Sequence, residues 1–201
     1  MPPRLLIATG NPHKVEEFRA LLGDLPFELV RLDQVGIHEQ IAETGTTFAE
    51  NARLKAEGYC RQSGLLTLAD DSGLEIAALN GAPGVYSARY GGVSGRAQLD
   101  LVLQHMHDVP WPQRQARFVC VIAIAEPQGA LHLVEGTLDG MIAHAPQGEF
   151  GFGYDPIFYL PERGLTVAQL PPDEKNRISH RARAAKQARA ILLAIAQRAA
   201  S

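Results

Sequence analysis

Short aliphatic runs alternate along this chain with stretches whose apolar residues recur three and four positions apart, the pattern of strands interleaved with amphipathic helices. Arg4 to Thr9 reads as a strand, and Gly10-Asn11-Pro12 as a turn before a helix covering Lys14 to Leu22. Phe27 to Leu32 is a second strand. A polar loop then leads to Thr46-Thr47 and a helix through Phe48, Ala52 and Leu54, with Glu50 three residues after Thr47 as a capping box. Leu65 to Ala69 is a third strand, ending in Asp70-Asp71-Ser72-Gly73. The glycine-rich stretch Leu79 to Gly95 is placed as loop, with a helix from Ala97 to about Met106. Arg117 to Ala125 and Leu131 to Thr137 pair around the turn Pro127-Gln128-Gly129, and Ala145 to Tyr159 is loop-rich. From His180 to Gln197, Ala184, Ala188, Ile191, Leu192 and Ile195 share one helical face. The class is α/β with a mixed sheet, read as a single domain over residues 1–201. Strand order does not follow from the sequence.

With 46% hydrophobic residues the chain can bury a core, as one globular domain or as two lobes sharing a sheet. A net charge of -3 offers no basic surplus for counterion release, so no nucleic-acid polymer is expected as partner; a small anion needs only local positive charge. Cys60 and Cys120 show no disulfide or zinc spacing and read as buried thiols. No apolar run approaches a membrane span or signal segment, so the expected location is cytoplasmic, with no membrane contact.

Four segments are candidates for chemistry. In Thr9-Gly10-Asn11-Pro12-His13-Lys14, backbone N–H groups and a helix N-terminus favour an anion and Lys14 adds a full charge; an ordinary turn competes with this, since the Walker spacing is missing. Asp70-Asp71 places two carboxylates side by side, which needs a compensating cation. In an extended segment one aspartate faces a ligand while the other props the site from behind, and the alternative is a turn capping the next element. Hard oxygen donors without a His/Cys cluster suit magnesium, with Glu39, Glu43 and Glu50 as further acids. Phe150-Gly151-Phe152-Gly153-Tyr154-Asp155-Pro156 combines close backbone approach with rings for stacking on a planar base, against core packing of the aromatics. In Asp173 to Arg181 donors predominate, Ser179 is a credible N-cap, and His180 and Arg181 fall in a first helical turn, where they need an acceptor such as a purine carbonyl or else form a solvated helix end. His105 and His107 are spaced against a shared metal, and Ser72 lacks the elbow of a serine hydrolase.

Taken in order, these stretches resemble the inosine triphosphate pyrophosphatase family, the dITP/XTP pyrophosphatases. The resemblance rests on Ala8-Thr9-Gly10-Asn11 with Lys14, Glu43-Thr44-Gly45 with Phe48, Glu50-Asn51-Ala52 and Lys55, and Ala69-Asp70-Asp71-Ser72-Gly73-Leu74. It continues through Gly81-Ala82-Pro83-Gly84-Val85-Tyr86-Ser87-Ala88-Arg89-Tyr90, Gly151 to Pro156, and Glu174-Lys175 with Ser179-His180-Arg181. It implies an elongated mixed sheet with flanking helices, two lobes around a central active-site cleft, a homodimer, and magnesium-dependent hydrolysis of ITP, dITP or XTP to the monophosphate and pyrophosphate. On that resemblance Thr9, Gly10, Asn11, Pro12, His13, Lys14, Lys55 and Lys175 hold the triphosphate, with Ser72 also touching substrate. Asp71 binds magnesium and activates water, with Glu43 as second metal ligand. Phe152, Gly153, Tyr154 and Asp155 form the base pocket, Phe152 stacking on the ring, while His180 and Arg181 read the base edge. The family's Glu-Glu-Thr-Gly stands here as Ala42-Glu43-Thr44-Gly45, leaving Glu43 or Glu39 to replace the ligand expected near Ala42. The competing functions are a pyrophosphatase of similar architecture acting on other nucleotides, and a nucleotide-binding module without turnover.

Overall fold

A computed structural model describes residues 2–200. The first strand, β1 (Arg4–Ile7), is buried over Leu5, Leu6 and Ile7. It pairs in parallel with β2 (Glu28–Arg31) on one side and with β3 (Leu66–Ile76) on the other, Leu5 lying opposite Leu29 and Leu66. Parallel neighbours need crossovers, and α1 (Pro12–Leu22) and α2 (Phe48–Ser63) supply them. α2 starts after the Thr47 cap that the sequence indicates, and α1 starts at Pro12, two residues before the expected Lys14. Asn11 accepts hydrogen bonds from the N–H groups of His13 and Lys14 with Pro12 in the first turn, while Thr47 and Glu50 form a reciprocal capping box.

β4 (Gln115–Ala125) and β5 (Leu131–Ile142) follow α3 (Arg96–His105), and the chain closes with β6 (Phe158–Leu160), β7 (Leu165–Thr166), α4 (Pro172–Ile178) and α5 (His180–Ala200). Among the described residues the seven strands lie in the order β2-β1-β3-β4-β5-β6-β7. The β5–β6 and β6–β7 pairs are antiparallel, so the sheet is mixed, as the pattern predicts.

The chain divides into two compact units, each with its own core. The first takes residues up to Asp71, Cys120–Gly136, and Arg181 onward. Here Leu5, Ile7, Phe18, Leu22, Leu68, Ile122 and Ile124 pack with Ala184, Ala188, Leu192 and Ile195 of α5, the helical face predicted; its alanines let α5 approach the strands closely. The second unit takes Ser72–Val119 and Thr137–His180. Its core joins Leu74, Ile76, Val102 and Met106 to Phe118, Ile142, Ile157 and Phe158.

The structure departs from the sequence reading at several elements. β3 does not stop at Ala69 but runs through both aspartates to Ile76, and β5 extends to Ile142 instead of ending at Thr137. β6, β7 and α4 are absent from the reading because two to seven residues are too few to show a period. The segment Gly84–Gly92, read as loop, is a kinked run of 3-10 turns.

Arg114 was also missed. Only 1% exposed, it donates to the carbonyls of Met106 (2.6 Å), Val109 (3.2 Å), Ile142 (2.7 Å) and Ala143 (2.9 Å), tying the end of α3 to the end of β5. Replacing the guanidinium by an apolar chain leaves four carbonyls without these donors. Arg114→Met is therefore expected to lower the unfolding free energy by about 3 kcal/mol or more. A denaturant titration checks this, and an unchanged midpoint would mean that water satisfies the same carbonyls.

Candidate active site

In the first unit the turn Thr9–Lys14 is organised by its own side chains. Thr9 Oγ1 accepts from the Asn11 N–H (3.2 Å), and Asn11 Oδ1 accepts from those of His13 (3.0 Å) and Lys14 (3.4 Å). Three of the amides proposed as a phosphate cradle are thus held within the turn, so a phosphate either displaces these bonds or relies on the Gly10 N–H and Lys14. Gly10, Pro12 and His13 are exposed. Lys14 Nζ lies 2.9 Å from Asp70 Oδ2.

The two aspartates at the middle of β3 have separate partners, as alternation along a strand requires. Asp70 is 1% exposed; besides Lys14 its Oδ2 accepts from Arg181 Nη2 at 3.3 Å, while Arg181 Nη1 donates to Glu17 at 2.5 Å. Burial alone would raise the Asp70 pKa, but Lys14, Arg181 and Lys55 overcome it and hold the carboxyl well below the usual carboxylate range. Cys120 Sγ sits 3.9 Å from the same oxygen, and burial followed by the Asp70 charge pushes its thiol up to about 12, which removes it as a nucleophile at neutral pH.

Asp71 differs. Its Oδ1 accepts from Lys55 Nζ at 3.2 Å, and Lys55 also donates to Glu43 Oε1 at 2.6 Å. Asp71 Oδ2 is buried and has no hydrogen-bond partner among the described residues. Burial raises the Asp71 pKa, Lys55 opposes it and Glu43 adds to it, leaving the carboxyl above its ordinary value. Burial also works against the charge on Lys55, but Asp71, Asp70 and Glu43 together outweigh it and hold the ammonium charged. Adjacent carboxylates with pKa values driven apart are one arrangement of a fixed anion beside a working acid or base, and Asp71 is the member of this pair whose pKa is raised.

Glu43, not Glu39, reaches this centre; Ala42 and Glu39 are exposed. Two carboxylates drawn to one ammonium, one with a free buried oxygen, fit a hard divalent cation that completes its shell with water and substrate phosphates. Among the described residues no group of three or more His, Cys, Asp or Glu could hold a metal on protein ligands alone.

The second unit gathers the aromatic candidates. Asp155, buried at the start of a 3-10 turn, accepts on Oδ2 from the Phe152 N–H (2.8 Å) and from Lys175 Nζ (2.6 Å), and that ammonium stands 4.6 Å from the centre of the Phe152 ring. Gly151 makes the arrangement possible. Its φ is +75°, and a Cβ there would come 2.1 Å from Asp155 Oδ2. Phe152 is half-buried and Gly153 exposed. Tyr154 is buried with its hydroxyl on the Ser87 carbonyl (2.9 Å), and burial raises its pKa, so it serves as a pillar. His180 is buried and stacks on Phe118 at 4.7 Å, and Phe118 in turn stacks on Phe158 at 4.1 Å. Ser72 follows Asp71 on β3 and is half-buried.

Two residues expected at the substrate also have ion-pair partners within the protein. Lys175, expected with the triphosphate, pairs with Asp155 in the second unit. Arg181, expected at the base edge, is 1% exposed in the first unit with its guanidinium on two carboxylates. No sequence signal distinguishes these partners, because Glu17 and Asp70 lie 164 and 111 residues from Arg181.

The fold and the acid-lysine centre define an α/β protein with a buried pair of aspartates set beside two lysines. A profile of the Ham1 family matches residues 5–191. The chain is 51% identical over 182 residues to a dITP/XTP pyrophosphatase of Geobacillus kaustophilus, covering 90% of this chain and 89% of that one. It is 46% identical over 189 residues to the dITP/XTP pyrophosphatase of Bacillus subtilis, covering 93% and 96%. Among solved structures, a HAM1 protein from Coxiella burnetii superposes with a TM-score of 0.86 at 43% identity, covering 94% of this chain and 98% of that one. The nucleoside-triphosphatase or dITP/XTP pyrophosphatase of Mycobacterium abscessus gives 0.75 at 42% identity, covering 92% and 97%. The chain belongs to the Ham1 family.

Proposed function

We propose that this protein hydrolyses the deaminated purine nucleotides ITP, dITP and XTP to the monophosphate and pyrophosphate. The observation that carries the reading is Asp71, a buried carboxylate with one oxygen on Lys55 and the other without a partner among the described residues, in a chain about half identical to dITP/XTP pyrophosphatases. Asp71 and Glu43 are assigned to hold magnesium, which when bound neutralises phosphate charge and acidifies water. Asp71 takes the proton of the attacking water, and Lys14 and Lys55 neutralise the pyrophosphate as it leaves. Asp70 stays ionised and fixes Lys14. This is addition and departure at phosphorus without a covalent enzyme intermediate.

Phe152 is assigned to stack on the base, with Asp155, Lys175 and His180 around it. N–H donors facing a 6-keto oxygen meet adenine's 6-amino group donor to donor, and each buried donor left unpaired costs roughly 1–3 kcal/mol. The Arg181 guanidinium is assigned to Asp70 rather than to the base. Phe152→Ala is expected to raise KM for ITP about tenfold or more, since base-aromatic stacking is worth ~1–3 kcal/mol, with a smaller effect on kcat. Steady-state kinetics check this, and an unchanged KM would take the ring out of base binding.

The expected setting is the nucleotide pool of the cytoplasm and the expected assembly a homodimer; no helix among the described residues is long and apolar enough to cross a membrane. A panel of inosine, xanthine, adenine, guanine and pyrimidine triphosphates tests the assignment. ITP and XTP should exceed ATP by about a hundredfold or more in kcat/KM, and equal rates on all would overturn it.

A further inference from the structure

The segment before α2 has no regular structure, yet it lies along that helix in a fixed register. Its residues alternate, Ile41, Glu43 and Gly45 half-buried and Ala42 and Thr44 exposed, as in an extended chain with one face covered. The covered positions meet a stripe of the helix with residues four apart. Tyr59 Oη accepts from the Ile41 N–H (3.1 Å) and donates to the Glu39 carbonyl (3.4 Å), Lys55 Nζ donates to Glu43 (2.6 Å), and Asn51 Oδ1 accepts from the Gly45 N–H (2.8 Å). One residue before Asn51, Glu50 accepts from the N–H groups of Thr46 (2.6 Å) and Thr47 (3.2 Å). Two extended residues span about 6.6 Å and four helical residues about 6.0 Å, so the two repeats keep step over this length.

Two small residues hold the contact tight. A Cβ at Gly58 would come 2.8 Å from Ile41 Cδ1, and one at Gly45 would come 2.8 Å from Asn51 Oδ1 and 2.6 Å from Glu50 Cβ. Asn51 is 0% exposed, and its Nδ2 has no hydrogen-bond partner among the described residues. Among the described residues the side chain's one hydrogen bond is the one it accepts from Gly45. A slip of one residue would carry Glu43 away from Lys55 and bring Ala42 or Thr44 in its place.

We propose that Asn51, with Tyr59 at the far end, is a positioning residue that sets the register of segment 39–47 on α2 and so delivers Glu43 to Lys55 and Asp71. The proposal rests on the reading of Glu43 as a metal ligand and extends it to residues that touch neither metal nor nucleotide. It also accounts for Ala42, which the register turns outward.

Asn51→Leu keeps the branching at the γ-carbon but is larger, and it removes both the bond to Gly45 and a buried unsatisfied amide, so a modest fall in melting temperature from overpacking is expected while the protein stays folded. Binding of Mn2+ without nucleotide, followed by the electron resonance of the free ion, should weaken about tenfold or more, and the Gly45 amide should lose protection from hydrogen exchange. In a Glu43→Gln background the same substitution should add little to the loss of Mn2+ binding. Asn51→Asp, which retains an acceptor for Gly45, should recover most of the affinity and serves if the leucine variant fails to fold. Parent-like Mn2+ affinity in Asn51→Leu, or a full additional loss in the double variant, overturns the proposal. If Glu43→Gln alone leaves Mn2+ binding unchanged, the metal role of Glu43 is what fails, and Gly45 protection then decides the register: lost in Asn51→Leu it supports the proposal, unchanged it overturns it.

Discussion

Asp71→Asn is expected to lower ITP turnover by about a thousandfold or more while the protein remains folded. The amide keeps the shape of the side chain and can still accept from Lys55, but it loses the charge that holds a cation and the basicity that takes a proton from water. Folding should survive because Asp71 is raised, not lowered, in pKa: its ionised form is disfavoured by burial, and removing that charge relieves a cost. The far-ultraviolet spectrum and melting curve should match the parent within a few degrees, and near-normal pyrophosphate release would remove Asp71 from the chemistry. A related sign follows for pH. In the metal-free protein the ionised fraction of Asp71 falls as pH drops through a value above that of an ordinary aspartate, and bound cation should move that limb downward.

Arg181→Met is expected to act mainly on stability. The guanidinium is buried between Asp70 and Glu17, and removing one partner from a buried ion network typically costs about 3–5 kcal/mol, because the remaining charges stay behind uncompensated. Asp70 keeps Lys14 at ion-pair distance, and Lys14 is one of the two lysines assigned to the triphosphate. Catalysis should fall for ITP and ATP in parallel, leaving their ratio unchanged. Chemical denaturation and a two-substrate comparison read both effects; a stable variant whose ITP to ATP ratio narrows would return Arg181 to the base edge. Asp70 adds a pH dependence of known sign. Its folded pKa lies below its unfolded one, so its contribution is complete above the ordinary aspartate range and is lost only as pH falls through the depressed folded value.

What was legible in the sequence was local. The Thr47 capping box joins residues three apart, and the alanine face of α5 is a period within one helix. The course of β3 was not legible in the same way. Two adjacent aspartates look like the end of a strand unless it is known that Lys14, Lys55 and Arg181 arrive from other elements to neutralise them. The choice between Glu43 and Glu39 was open for a similar reason, since it is made by the register of an irregular segment against α2. Lys175 was singled out by its motif, whereas its ion pair with Asp155, twenty residues away in sequence, is a product of the tertiary structure. Family resemblance identified the chemistry, whereas the partner of each charge came from tertiary structure.

The central claim is hydrolysis of a deaminated purine triphosphate by water at the phosphorus nearest the ribose. Turnover of ITP with magnesium in 18O-labelled water, followed by mass spectrometry of both products, measures it directly. Inosine monophosphate carrying one 18O and pyrophosphate carrying none is the predicted result; inosine diphosphate with orthophosphate, or no product at all, would contradict it.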